Sequence, residues 1–113
     1  MGLMDRLRGR AGGPWRAVTA DVDHLTRWAR ARTGVEAFVE PRTTVTETTV
    51  VLVDKDGEWT RRRVDGPRGA RQLGRALRIP VYDVQLVGYP QRMREHDDRQ
   101  RVLRDRARRR DAQ

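Results

Sequence analysis

The sequence predicts an α+β domain in the order α-β-β-β-α-β-α, with a mostly antiparallel sheet of about four strands and helices packed on it. Three observations carry this expectation. β-Branched residues crowd one run, Thr43 to Val53 (TTVTETTVVLV). Asp54-Lys55-Asp56-Gly57 then supplies turn chemistry ahead of a second strand-like stretch, Glu58 to Val64. On either side of this hairpin, residues 20–33 and 67–78 space their apolar residues with a helical period. A chain of 113 residues holds one domain with a modest core.

In chain order, MGLMDRLRGR places Leu3, Met4 and Leu7 on one short edge before Ala11-Gly12-Gly13-Pro14 interrupts it. Residues 1–18 therefore read as a flexible basic arm. The first helix is expected over 20–33, with Thr19 as N-cap and Asp21 and Asp23 in the first turn. Val22, Leu25, Trp28 and Ala29 form its buried stripe, and Gly34 stops it. Residues 35–40 form a short strand ended by Pro41. Thr43 to Val53 is the second strand. In the hairpin, Val53 opposite Glu58 puts Leu52 across from Trp59, whereas a bulge at Gly57 shifts this register by one.

Asp65-Gly66-Pro67 opens the second helix, with proline suited to a first-turn position. Arg68, Arg71, Arg75 and Arg78 fall on one stripe, and Ala70, Leu73 and Leu77 on another roughly opposite. Gly69 and Gly74 each weaken the helix by about 1 kcal/mol relative to Ala, a cost more easily tolerated if the helix lies close against strands. Pro80 ends it. Val81 to Val87 reads as a fourth strand buried along Tyr82, Val84 and Leu86. Pro90 starts a last helix from Gln91 to about Arg106, with a thin stripe of Met93, His96, Gln100 and Leu103. The pairs Arg94/Asp98, Glu95/Arg99, Asp97/Arg101 and Arg101/Asp105 support it before the tail Arg108-Arg109-Arg110. The domain thus spans residues 19–90, and residues 91–113 form a basic helix and tail.

The chain has no cysteine, serine or asparagine and only two histidines, His24 and His96. Disulfides, thiolate metal sites and Cys or Ser nucleophiles are excluded, and no HxxxH or HxH spacing suggests zinc. No cofactor and no metal is expected: Gly69 to Gly74 has a GxxxxG frame, but Arg75-Ala76 replaces the Lys-Ser/Thr of a phosphate loop. No apolar run approaches a membrane span and no signal-peptide core is visible, so a cytoplasmic protein without stable membrane insertion is expected. The formal charge is +9, from 24 arginines and one lysine against 16 acids, with the excess mostly in the two ends. A polyanionic partner fits that surplus.

The element order resembles the core of restriction-endonuclease-like nucleases, and its first five elements resemble a double-stranded RNA-binding domain. The nuclease resemblance implies acidic metal ligands on the second and third strands. Glu47 and Glu58 are available, but Thr60 stands where the lysine belongs and the only lysine, Lys55, is in the turn, so the site would be degenerate or inactive. The RNA-binding resemblance implies phosphate contacts at the start of the second helix, where Arg68 and Arg71 stand. Glu40-Pro41-Arg42-Thr43 replaces the Gly-Pro-x-His type of loop. The stretches GVEAFVEP, TTVVLVDKDGEWTRRRV and IPVYDVQLVGYPQRM also resemble a group of small uncharacterised actinobacterial proteins. Some of those carry an oxidoreductase label, for which this chain shows no cofactor motif or redox residue.

The leading functional expectation is a non-enzymatic binding protein for RNA or a ribonucleoprotein surface. Arg68, Arg71, Arg75 and Arg78 would contact phosphates, aided by Arg61, Arg63 and the C-terminal arginines. Trp59 beside Arg61 and Arg63 is either a stacking platform or core. The competing expectation is a protein-interaction module or homodimer, joined through a sheet edge or through Tyr82, Tyr89 and Pro90. Its interface would centre on Tyr89, Arg92, Met93 and Arg94.

Overall fold

Three β-strands run as a meander, and a fourth joins the meander's first strand from the other side. The computed structural model describes residues 13–112, with side chains from Val18 onward. The elements are α1 (Gly13–Arg30), β1 (Glu36–Glu40), β2 (Thr49–Val53), β3 (Trp59–Arg63), α2 (Gly66–Leu77), β4 (Val81–Asp83), α3 (Val84–Val87) and α4 (Gln91–Asp111). Sheet order is β3-β2-β1-β4. The β1–β2 and β2–β3 pairs are antiparallel, while β4 runs parallel to β1. The α+β expectation holds, with a mixed sheet and one extra helical turn.

The sheet is apolar on both faces, and each face has its own cover. On the first face Ala37, Val50 and Leu52 meet Leu25 and Ala29 of α1 and Ala70 and Leu73 of α2. On the second, Phe38, Val51 and Val53 meet Met93 of α4, with Trp59 and Tyr82 at the margin. This two-sided use explains why Val50 to Val53 reads as a continuous apolar run: all four are fully buried. Burial of each such side chain stabilises the fold by roughly 1.5–3 kcal/mol.

Several boundaries differ from the expected ones. α1 starts at Gly13, within the span read as the N-terminal arm, and the rest of that arm, residues 1–12, lies outside the described residues. Pro14 at the helix's second position lacks an N–H that would be unpaired there anyway, so it begins the helix instead of blocking it. Thr19 is therefore inside α1, and Asp21 and Asp23 are mid-helix. The helix still ends near the predicted stop, with Gly34 at φ +65 just beyond.

The long strand predicted from Thr43 shrinks to Thr49–Val53. The Thr43 hydroxyl accepts from the N–H groups of Val45 (3.2 Å) and Thr46 (3.0 Å), and this local turn replaces ladder pairing. In the hairpin, Val53 faces Trp59 and Leu52 faces Thr60, so the bulged register holds and Trp59 is not packed over Leu52. Asp54 N–H donates to the Glu58 carbonyl at 2.9 Å, and Gly57, at φ +88, is the extra residue.

β4 stops at Asp83, whose carboxylate accepts from Gln85 N–H at 2.8 Å and caps the one-turn helix α3. Leu86 is consequently 83% exposed and not a buried strand residue. α4 continues through the expected tail to Asp111, a length of about 31 Å at 1.5 Å per residue. Its ion pairs within the helix, among the described residues, are Arg101–Asp98 and Arg108–Asp105, both i,i+3, in place of the expected i,i+4 set. Only Met93 of its predicted stripe is buried; Leu103 is 53% exposed. Among the described residues no helix is long and apolar enough to cross a membrane.

Candidate functional site

α2 takes its position from glycine. A Cβ at Gly74 would stand 2.2 Å from Val81 Cγ2, so the missing side chain lets the helix lie directly on β4. Ala70, Leu73 and Gly74 form the buried stripe, close to the expected one. The opposite stripe faces solvent: Arg68, Arg71, Arg75 and Arg78 are all exposed. Arg78 is the C-cap in the left-handed region (φ 56, ψ 45), so the regular spacing ends at Arg75 and Arg78 turns off the helix axis.

No ion pair links any of these four guanidinium groups to a carboxylate among the described residues. Glu58, Asp83 and Asp65 do not neutralise them. Glu58 pairs with Arg32 at 3.1 Å, Asp83 caps α3, and Asp65 precedes α2 without a side-chain cap bond. The first turn of α2 also holds no acidic residue. The stripe is therefore a cationic surface along the outward-facing side of α2, and the positive end of the helix dipole lies beside Arg68.

Arg61 and Arg63 do not join it. Arg61 lies on the second face of the sheet, where its Nε and Nη2 donate to Glu40 at 2.7 and 3.0 Å. Arg63 pairs with Asp21 of α1 at 3.2 Å. Asp21 also holds Arg62 at 3.7 Å, so neither arginine meets Glu47. Trp59 donates Nε1–H to Asp97 at 2.8 Å and carries the Arg61 guanidinium 5.2 Å from its ring centroid. It is a joint between β3 and α4, not an open stacking platform.

Glu40 is the hub of a network that sequence reasoning missed. It accepts from Arg61, from Thr49 Oγ1 at 2.8 Å and from the Tyr89 hydroxyl. Burial alone would push this carboxyl up, but the hydrogen bonds from Arg61, Tyr89 and Thr49 outweigh it and hold it below the ordinary range. Burial, followed by the bond to Glu40, pushes the Tyr89 phenol up. No local pattern announces it: Glu40 ends β1 beside Pro41, and its partners are 9 to 49 residues away.

The four residues expected at an interface divide. Arg92 is turned inward, with Nη2 2.6 Å from Glu36 and Nε donating to the Asp54 carbonyl at 2.9 Å. Met93 is 7% exposed in the second core. Tyr89 is partly exposed but tied to Glu40, and Arg94 faces solvent. The carboxylates of the nuclease resemblance also stay apart: Glu47 precedes β2 at the open end of the hairpin, and Glu58 precedes β3 at its turn. Among the described residues no group of three His, Cys, Asp or Glu could hold a metal.

A second feature lies beside the stripe. α1 and α2 bound a groove of about 380 Å³ lined by Val18, Val22, Leu73, Ala76 and Leu77, with Asp23, Asp65 and Arg30 on its walls. Comparison with protein-family models, curated proteins and solved structures finds no match for the chain.

Proposed function

We propose that this chain is a non-enzymatic binding protein for RNA, free or on a ribonucleoprotein surface, and that α2 is its phosphate-contacting element. The observation that carries the reading is that Arg68, Arg71, Arg75 and Arg78 are exposed and without ion pairs among the described residues, whereas Arg61, Arg62, Arg63 and Arg92 all have carboxylate partners. A row of unneutralised guanidinium groups attracts phosphates along a strand and gains counterion-release entropy on contact. Arg61 and Arg63 are left out of the contact set because breaking their pairs would offset the gain.

The test compares wild type with the variant Arg68→Gln/Arg71→Gln/Arg75→Gln/Arg78→Gln after nuclease treatment. Wild type should bind a single-stranded RNA with an affinity that falls steeply with salt. The variant should lose most of that affinity, and its salt slope should drop by about 0.7 per lost contact, roughly 3 in all. Its thermal midpoint should stay near that of wild type, because none of the four side chains is buried. Equal binding by both proteins removes α2 from the account.

A further inference from the structure

We infer that the groove between α1 and α2 is a docking site for the projecting half of α4 from a second copy of this chain, exchanged reciprocally in a two-fold dimer. This inference is independent of the RNA reading, since the groove wall and the arginine stripe lie on different sides of α2.

The projecting half is an unpartnered helix. α4 is tied to its own domain by Arg92, Met93, the Asp97–Trp59 bond and the Arg99 bond to the Asp56 carbonyl at 3.0 Å. Past Arg99, among the described residues, every hydrogen bond or ion pair of its side chains stays within the helix. This half continues a helix whose first half is anchored, and its own faces stand open to solvent. Leu103, Arg106, Ala107 and Arg110 recur at helical spacing, and Leu103 and Val102 are 53% and 44% exposed.

The groove is the complementary surface. Its apolar lining is Val18, Val22, Leu73, Ala76 and Leu77, and its volume of about 380 Å³ leaves room for an aliphatic side chain. Asp23 and Asp65 also line it, neither with an ion pair among the described residues, against the single cation Arg30. The arm from Arg99 to Arg110 carries seven arginines and one aspartate. Arg104, Arg106, Arg109 and Arg110 have no ion pair among the described residues, so they can meet those acids while Leu103 fills the groove. Arm and groove lie on opposite layers of the domain, so one copy does not close the contact on itself. Two copies satisfy both sites at once, the self-complementary arrangement of a two-fold dimer.

The test uses two full-length variants at solvent-facing positions, Leu103→Glu on the arm and Ala76→Glu in the groove. Nucleic-acid-free wild type should show a mass in solution of twice 13.1 kDa at high concentration. Each variant should keep its helical circular dichroism and dissociate about tenfold or more readily. Mixing the two variants should give a heterodimer that associates more tightly than either variant alone and less tightly than wild type, because one of its two contacts joins an intact arm to an intact groove while the other carries both substitutions. Pairing of α4 with α4, or of groove with groove, would give no such rescue. A monomeric wild type, dimers indifferent to both substitutions, or a mixture that stays monomeric would each overturn the inference.

Discussion

Gly57 and Arg92 are in backbone contact: a Cβ on Gly57 would stand 2.0 Å from the Arg92 carbonyl oxygen and 3.0 Å from His96 Cβ. The hairpin turn and the first turn of α4 therefore form one joint, closed by the Arg92 bond to the Asp54 carbonyl. Glycine is required here twice, once for φ +88 and once for the space. Gly57→Ala should cost about 2–4 kcal/mol in urea unfolding, the sum of backbone strain and displacement of α4. Gly66 separates the two contributions, having φ +65 but nothing within 4 Å of its Cβ position. Gly66→Ala should cost only about 1 kcal/mol. Equal losses at both glycines would show that the α4 contact contributes nothing.

Gly74 opposes two effects of known sign. Alanine would add about 1 kcal/mol of helix propensity, but its methyl would collide with Val81 Cγ2 at 2.2 Å. Val81 is β-branched on a strand and cannot swing aside cheaply, so the collision should dominate. Gly74→Ala is expected to destabilise by about 1–3 kcal/mol. Val81→Ala removes the obstructing methyl, so the double variant should be more stable than the sum of the two single losses predicts. Simple additivity in chemical denaturation would refute the contact.

This pair also shows how far the sequence could be read. The 3.6-residue period placed Ala70 and Leu73 inside and Arg68, Arg71 and Arg75 outside, because both stripes lie within one short segment. The suspicion that Gly74 marks a close approach to strands was also open to local reasoning. Which strand it approaches was not, since Val81 reaches Gly74 only after the chain has crossed the sheet. Thr43 and Asp83 misled for a shared reason. Each side chain accepts a bond from a backbone N–H two or three residues on, and such bonds end strands that β-propensity alone would continue. The pairing of Glu40 with Tyr89 and of Arg92 with Glu36 depends on tertiary contact across the whole domain and left no local trace.

The Glu40 network should be visible at both ends of the pH scale. The Glu40 carboxyl lies below its ordinary 4.5 when folded, so its contribution is present above that value and is lost as pH falls through the folded pKa. The Tyr89 phenol lies above its ordinary 10.0, so its contribution is present below that value and is lost as pH rises through the folded pKa. Tyr89→Phe removes one donor to Glu40 at a partly exposed site, which should cost about 0.5–1 kcal/mol at neutral pH. The variant should also lose less stability than wild type on going to high pH. Parallel stability curves for the two proteins would mean that the Tyr89 hydroxyl is not engaged in solution.

His24 supplies a second titration, between α1 and β3. Its Nε2 is 2.8 Å from Thr60 Oγ1. Burial, then the positive charges of Arg62 and Arg27 and, after them, Arg32, lower its pKa below 6.5, with Asp21 pulling the other way. Depressing the pKa of a base favours its neutral form in the folded chain. As pH falls below 6.5 the unfolded chain takes up a proton that the folded chain refuses, so stability declines until the folded pKa is reached. Above 6.5 the group adds no pH dependence. His24→Gln keeps a hydrogen-bonding side chain beside Thr60 but cannot titrate. Its unfolding free energy, followed by denaturant titration from neutral pH downward, should fall less steeply than that of wild type just below 6.5. The two slopes should converge only once the pH is under the folded pKa. If they coincide throughout, His24 is protonated equally in both states and the α1–β3 contact does not shield it.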